Sequence, residues 1–285
     1  MKAPEISGAF SSPETLNRKM TTSTSARPIQ TLREQITNLE AAITVCLADP
    51  SPKPVHKLRT STRRVEAQFT LLSLLPDLPS HRKPEKEARR LLKKLRRAAG
   101  TVRDLDVQID LIEEKTSAST KKASDDLTEA LRHQRVQAAV DLLRILNKHQ
   151  GKLTRSLESL LEDLDPAKSQ ALPSTRLKSL VQDWFTQNIQ SETLPDDPDQ
   201  LHAIRKTAKL ARYIAETAPK SARTPRKLAA AFESLQQSGG EWHDWLILSA
   251  IAHDKLGDSP LTQAFRGNCE TALAHYRDHI QSFRT

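Results

Sequence analysis

An all-α fold follows from three features of the 285-residue sequence. Only 7 glycines loosen the backbone, while Ala, Leu, Lys, Arg and Glu, which lose little side-chain freedom in a helix, are abundant. Apolar residues recur three or four positions apart in one segment after another. No stretch sustains the two-residue alternation of a half-buried strand, which disfavours an α/β nucleotide fold.

Residues 1 to 28 mix Pro4, Pro13 and Pro28 with the run Thr21-Thr22-Ser23-Thr24-Ser25 and show no apolar period; they read as a flexible tail. From Ile29 to Leu47 the positions Ile29, Leu32, Ile36, Leu39, Ile43 and Leu47 form one helical stripe, ended by Asp49-Pro50-Ser51-Pro52. A second helix starts at Pro54, where the missing amide hydrogen does no harm, and runs to Leu75 before Pro76-Asp77-Leu78-Pro79. The third spans Pro84 to Ala99, with Gly100 able to terminate it and Leu105 to Glu114 as a short helix or a continuation. Helical pattern then covers Ala123 to Asn147 and Leu153 to Leu164, after which Asp165-Pro166 and Leu172-Pro173-Ser174 mark a boundary between halves. The second half offers Thr175 to Ile189, the acidic turn Pro195-Asp196-Asp197-Pro198-Asp199, and helices near 200–217, 225–237, 242–256 and 261–282.

Charge and composition narrow the function. Lys plus Arg number 44 against 35 Asp plus Glu, a formal net charge of +9, which attracts polyanions without choosing among them. The two cysteines, Cys46 and Cys269, lie in separate helical segments, which disfavours a disulfide framework. No run approaches the roughly 18 apolar residues needed to span a bilayer, and the first residues lack the apolar core of a secretory signal. An intracellular protein with no membrane partner is expected.

The chain repeats itself where its charge is densest. His56-Lys57-Leu58-Arg59-Thr60-Ser61-Thr62-Arg63 aligns with His202-Ala203-Ile204-Arg205-Lys206-Thr207-Ala208-Lys209, each copy having His followed by a base at +3 and another at +7. On a helix these three positions fall within an arc of roughly 60°. Leu58, Val65, Phe69 and Leu72 take the opposite face in the first copy, and Ile204, Ala208, Ala211 and Ala215 take it in the second. Arg64 widens the first basic arc and Arg212 extends the second. Tyr213 falls near the His202 side, where its hydroxyl could meet an anion or its ring could cap the packed edge.

A weaker correspondence follows each motif. Gly100-Thr101-Val102-Arg103-Asp104 parallels Gly240-Glu241-Trp242-His243-Asp244, and Lys86 parallels Arg226. Asp104 and Asp244 could accept hydrogen bonds from neighbouring bases and hold them in register, with His243 in the same orienting role. Trp184, Trp242 and Trp245 read as packing residues. Between Glu87 and Ala99 the helix is one-sided: Arg89, Lys93 and Arg96 share one face and Arg90, Lys94 and Arg97 the next. So many like charges repel unless a multivalent anion compensates them.

In these residues the chain resembles the CHAD family, the conserved histidine α-helical domains, from about residue 29 onward. The resemblance implies an all-α fold of two pseudo-symmetric four-helix units, here residues 29–170 and 171–285, with a basic groove or channel between them. It implies non-catalytic binding of inorganic polyphosphate, association with polyphosphate granules in the cytoplasm, and no cofactor. Carried onto this sequence, it assigns anion contacts to His56, Arg59, Arg63, Arg64, His202, Arg205, Lys209 and Arg212. Lys86, Lys93, Arg97 and Arg226 are secondary candidates. Two departures stand out: Lys57 replaces an acidic residue frequent after the first His, and Leu210 replaces one member of a basic pair. The triphosphate-tunnel hydrolase domain that many relatives carry has no matching acidic strand pattern here.

Two rival functions remain in view. A nucleic-acid-binding module would use the same basic helices, although no zinc finger, aromatic platform or recognition helix is evident; nucleic acid could also be a secondary polyanion partner. A metal phosphohydrolase would use His243-Asp244 and His253-Asp254, but these pairs lie ten residues apart and further ligands are not evident. No heptad run specifies a homo-oligomer.

Overall fold

Proline sets where the helices begin. Its locked φ suits the first turn and its missing N–H is no loss there, and α1 (Pro28–Ala48), α2 (Pro52–Ser73), α6 (Pro198–Ala215) and α8 (Pro260–Arg284) all open on one. The remaining helices are α3 (Arg82–Lys115), α4 (Lys121–Leu164), α5 (Ser174–Ile189) and α7 (Arg223–Leu256). The computed structural model describes residues 25–115, 118–189 and 197–284. Most of the segment expected to be a flexible tail therefore lies outside the described residues. Its last residues do not behave as one: Ser25 and Ala26 form a two-residue strand, β1, antiparallel to β2 (Leu172–Pro173), and Ala26 is buried.

Three helices are longer than the sequence suggests. Gly100 does not end α3, Gly151 does not interrupt α4, and Gly239-Gly240 does not divide α7. A mid-helix glycine costs only about 1 kcal/mol relative to alanine. Burial of Val102, Leu105 and Ile112 beyond Gly100, and of Trp242, Trp245 and Leu248 beyond Gly240, outweighs that. Gly239 has a packing reason as well: a Cβ there would lie 2.6 Å from the Tyr276 ring, whose hydroxyl donates to the Leu201 carbonyl. A left-handed glycine does end α7, at Gly257 (φ 59°).

The helices make two bundles, each with its own core. Buried faces of α1 and α2, the first part of α3 and the last part of α4 enclose Leu39, Leu58, Phe69, Leu92, Leu146 and Leu160. In the second bundle α5 to α8 enclose Val181, Ile204, Ala211, Phe232, Leu248 and Tyr276. The α3–α4 hairpin serves both, because its tip residues Ile112, Leu127 and Leu131 join the second core.

Contact between bundles runs chiefly through α2 and α6. Arg64 meets Tyr213 and Glu216, and Gln68 donates to Thr217 across a buried 2.9 Å hydrogen bond. Partners advance together along both helices, so α2 and α6 run in the same direction and bring their positive N-terminal ends to one side of the molecule.

Candidate anion-binding site

Both motif helices divide their surface as the spacing predicts. Leu58, Val65, Phe69 and Leu72 on α2, and Ile204, Ala208, Ala211 and Ala215 on α6, are all buried. The histidine stripe changes character along each helix. Its C-terminal part, with Ala67 and Leu71 on α2 and Tyr213 on α6, is buried in the second core and joins the bundles. Its N-terminal part stays polar and lines a cavity of about 430 Å³. Four helices build that cavity in matching pairs: His56 and Arg59 from α2 with Arg205 and Lys209 from α6, and Arg103 and Asp104 from α3 with His243 and Asp244 from α7. Both duplicated motifs, far apart in sequence, thus meet in one place.

Hydrogen bonds hold the cations without neutralising them all. Arg59 donates to Asp104 at 3.3 Å, so the aspartate following the first motif orients the arginine within it. Arg205 lies 3.4 Å from Nδ1 of His202, and its Nε is buried without a hydrogen-bond partner. His202 is not among the lining residues; its ring stacks on that of His243, which is, with centroids 4.6 Å apart, and His243 in turn lies 3.5 Å from Asp244. Arg63, next to the lining, pairs with Glu66 at 3.7 Å.

Crowding of like charge leaves a mark on the protonation equilibria. Burial, then Arg205, Arg59 and Arg63, push the Lys209 ammonium down to about 7. Burial and then Arg96 lower Arg63 to about 10, so it stays charged at neutral pH. Burial, then Arg205 and Lys206, bring His202 down to about 4, whereas His56 is lowered by burial, Arg103 and Arg59. Both histidines therefore favour the neutral form when the cavity holds no anion. A multivalent anion would oppose the part of each shift that comes from neighbouring cations by supplying a counter-charge.

Several sequence-predicted residues stand elsewhere. Arg64 is one step beyond Arg63, about 100° around the helix, and turns to Glu216 (2.8 Å) and the Tyr213 ring instead of the cavity. Arg212 is held by Glu216 and Glu233, both at 2.8 Å, and Arg226 donates to the Ala218 carbonyl at 2.7 Å. These three arginines hold the bundles and a loop. Tyr213 packs rather than facing the cavity. Lys86, Lys93 and Arg97 are exposed on α3 upstream of the lining residues. Of the tryptophans expected to pack, Trp242 and Trp245 are buried, and Trp245 also forms part of the cavity wall.

Three cations outside the residues assigned to anion contact stand at the cavity or next to it: Arg103 lines it, and Lys206 and Arg96 lie beside the lining. Arg103 occupies the place that His243 takes in the other copy. Lys206 aligns with Thr60 and Arg96 with Gln236, so duplication carried no signal for them. Arg96 bonds Glu66 at 2.9 Å, and Arg63 and Arg96 together depress Lys206 after burial and Arg205. Among the described residues, no group of three or more His, Cys, Asp or Glu is placed to hold a metal ion. The pairs His243-Asp244 and His253-Asp254 sit on one helix, ~15 Å apart along its axis.

Fold and site together define an all-helical protein built from a duplicated His-Arg helix around a cationic cavity. Residues 30–253 match the CHAD domain family, and the chain belongs to it. Among solved structures it is similar to the crystal structure of the CHAD domain from the plant Ricinus communis, with a TM-score of 0.63 and 16% identity over 92% of both chains. It is also similar to PptA from Streptomyces chartreusis, with a TM-score of 0.60 and 16% identity over 91% of this chain and 100% of that one. At such identity the likeness is one of fold. No curated protein matches the chain.

Proposed function

We propose that this protein binds inorganic polyphosphate in the cavity between its two bundles, without cleaving it, and that this binding recruits it to polyphosphate granules. One observation carries the reading: Arg59, Arg103, Arg205 and Lys209 converge on a single cavity. Family membership supports it. Arginine offers forked donors to phosphate oxygens and lysine a mobile point charge, so a flexible chain of phosphates can satisfy both. Once one phosphate is held, its neighbours on the chain reach the next cation at high effective concentration. Length of the polymer should then matter more than the identity of its monomer.

A chain-length and salt titration tests this, repeated with the double variant Arg59→Glu plus Arg205→Glu after circular dichroism confirms its helicity. Long polyphosphate should bind the parent with an affinity that falls steeply with salt, as counterions released on binding must be recaptured. The double variant should lose ~100-fold or more, because two charge-assisted contacts worth roughly 1.5–3 kcal/mol each become repulsions. Unchanged affinity in that variant would reject the cavity as the site. Stronger displacement by nucleic acid of matched charge would favour the nucleic-acid reading instead.

A further inference from the structure

The α3–α4 hairpin carries a second concentration of positive charge, away from the cavity. Its helices are antiparallel, and Glu87 of α3 meets Lys152 of α4 at 2.9 Å, fixing their register. That register sets Arg90 and Lys94 beside Lys148 and His149, where burial, then Lys94, Lys148 and Arg90, hold the imidazole below its ordinary value. Glu87 is the carboxylate bonded within this group, and it is shared by Arg90 and Lys152. Lys94, Lys148 and Lys152 are exposed. An ordinary solvated helix pair alternates its charges, which gains a few tenths of a kcal/mol per pair; this ridge concentrates one sign.

Position relative to the cavity gives the ridge a meaning. Lys94 and Arg103 project from opposite sides of α3 and are nine residues apart, ~14 Å along the axis. Lys93 and Arg97, exposed and outside the cavity lining, fall on the arc of α3 between those two faces. Cations therefore lead from the cavity around α3 to the ridge, interrupted on that arc by Asp104, which is paired with Arg59. We propose that the α3–α4 ridge is a second anchor for the same polyphosphate chain, so that the protein measures chain length by requiring a polymer long enough to reach both. This rests on the cavity reading. A short oligophosphate fills the cavity alone; a longer one adds the ridge as an intramolecular contact.

Size-fractionated polyphosphates, from tripolyphosphate upward, test the proposal against the parent, the cavity variant Arg59→Glu plus Arg205→Glu, and a ridge variant, Lys94→Glu plus Lys148→Glu plus Lys152→Glu. A milder set with glutamine at the same three positions covers loss of folding in the ridge variant. Parent affinity should step up ~100-fold once the chain spans both surfaces. The ridge variant should bind tripolyphosphate as the parent does and lose the step. If it keeps the full step, the ridge is not an anchor, whatever the cavity does. If tripolyphosphate and long chains bind the cavity variant as well as the parent, the cavity reading fails and a ridge-variant loss would place binding on the hairpin instead.

Discussion

The two copies of the motif reach one cavity with unequal chemistry. Arg59 and Arg205 occupy matching places, yet Arg59 is bonded to Asp104 while the buried Nε of Arg205 has no hydrogen-bond partner. Arg63 answers to Lys209, and Arg103 to His243. Both histidines are lowered, His56 at an exposed position and His202, stacked on His243, down to about 4. The first copy thus offers permanently charged guanidinium groups already held by carboxylates. The second adds to Arg205 the Lys209 ammonium, whose charge depends on what occupies the cavity. Duplication conserved the geometry of a cationic stripe and let the protonation behaviour of its halves diverge.

Single substitutions should expose that inequality most strongly. Arg205→Ala removes donors that have few partners within the protein, so it should weaken long-polyphosphate binding ~10-fold to 100-fold by equilibrium titration. Arg59→Ala frees Asp104 as an unpaired negative charge at the cavity, and its loss should be partly rescued by Asp104→Asn. Equal losses without rescue would remove the distinction drawn between the copies.

Packing also differs sharply between neighbouring positions of the second copy, and stability reads it. Gly239→Ala should destabilise by ~1–3 kcal/mol in urea unfolding, since its Cβ would overlap the Tyr276 ring. Gly240→Ala, with open space around its Cβ, should be neutral or stabilising by up to ~1 kcal/mol. Similar effects of the two would contradict the close approach of α7 to α8.

Proton uptake sharpens the comparison further. Lys209 is held at about 7 against an ordinary 10.5, so near pH 8 it is mostly neutral in the unliganded protein and charged once phosphate surrounds it. Binding at pH 8 should take up a fraction of a proton, seen as a dependence of calorimetric heat on buffer ionisation, and Lys209→Met should abolish it. Between pH 4 and 6.5 His202 should add its own uptake. In the unliganded protein these depressed bases act oppositely on folding: the unfolded chain binds the extra protons, so stability rises with pH across each window and falls as pH drops through it.

Much of this was legible in the sequence because helical period is a local property. The buried faces of α2 and α6, the pairing of His56 with His202, and the linked pairs Arg103-Asp104 and His243-Asp244 all follow from spacing alone. What a neighbouring helix presents does not. Arg63 and Arg64 look alike in a string of letters, yet a 100° step sends one beside the cavity and the other to Glu216. Gly100 and Gly239-Gly240 read as stops because local propensity favours a break there, and burial of apolar residues on the far side overrides it. The ridge was half visible as the basic run from Lys93 to Arg97; its other half, Lys148 to Lys152, became its neighbour only when the hairpin closed.

Amine footprinting locates the ligand most directly. With Lys209 partly neutral at pH 7.5, an acylating reagent followed by mass spectrometry should label it in the free protein, along with exposed lysines such as Lys168 and Lys220. Saturating polyphosphate should suppress labelling at Lys209 by tenfold or more and leave Lys220, which lies on a separate hollow, nearly unchanged. Undiminished labelling of Lys209 in protein shown to be fully bound would contradict the account.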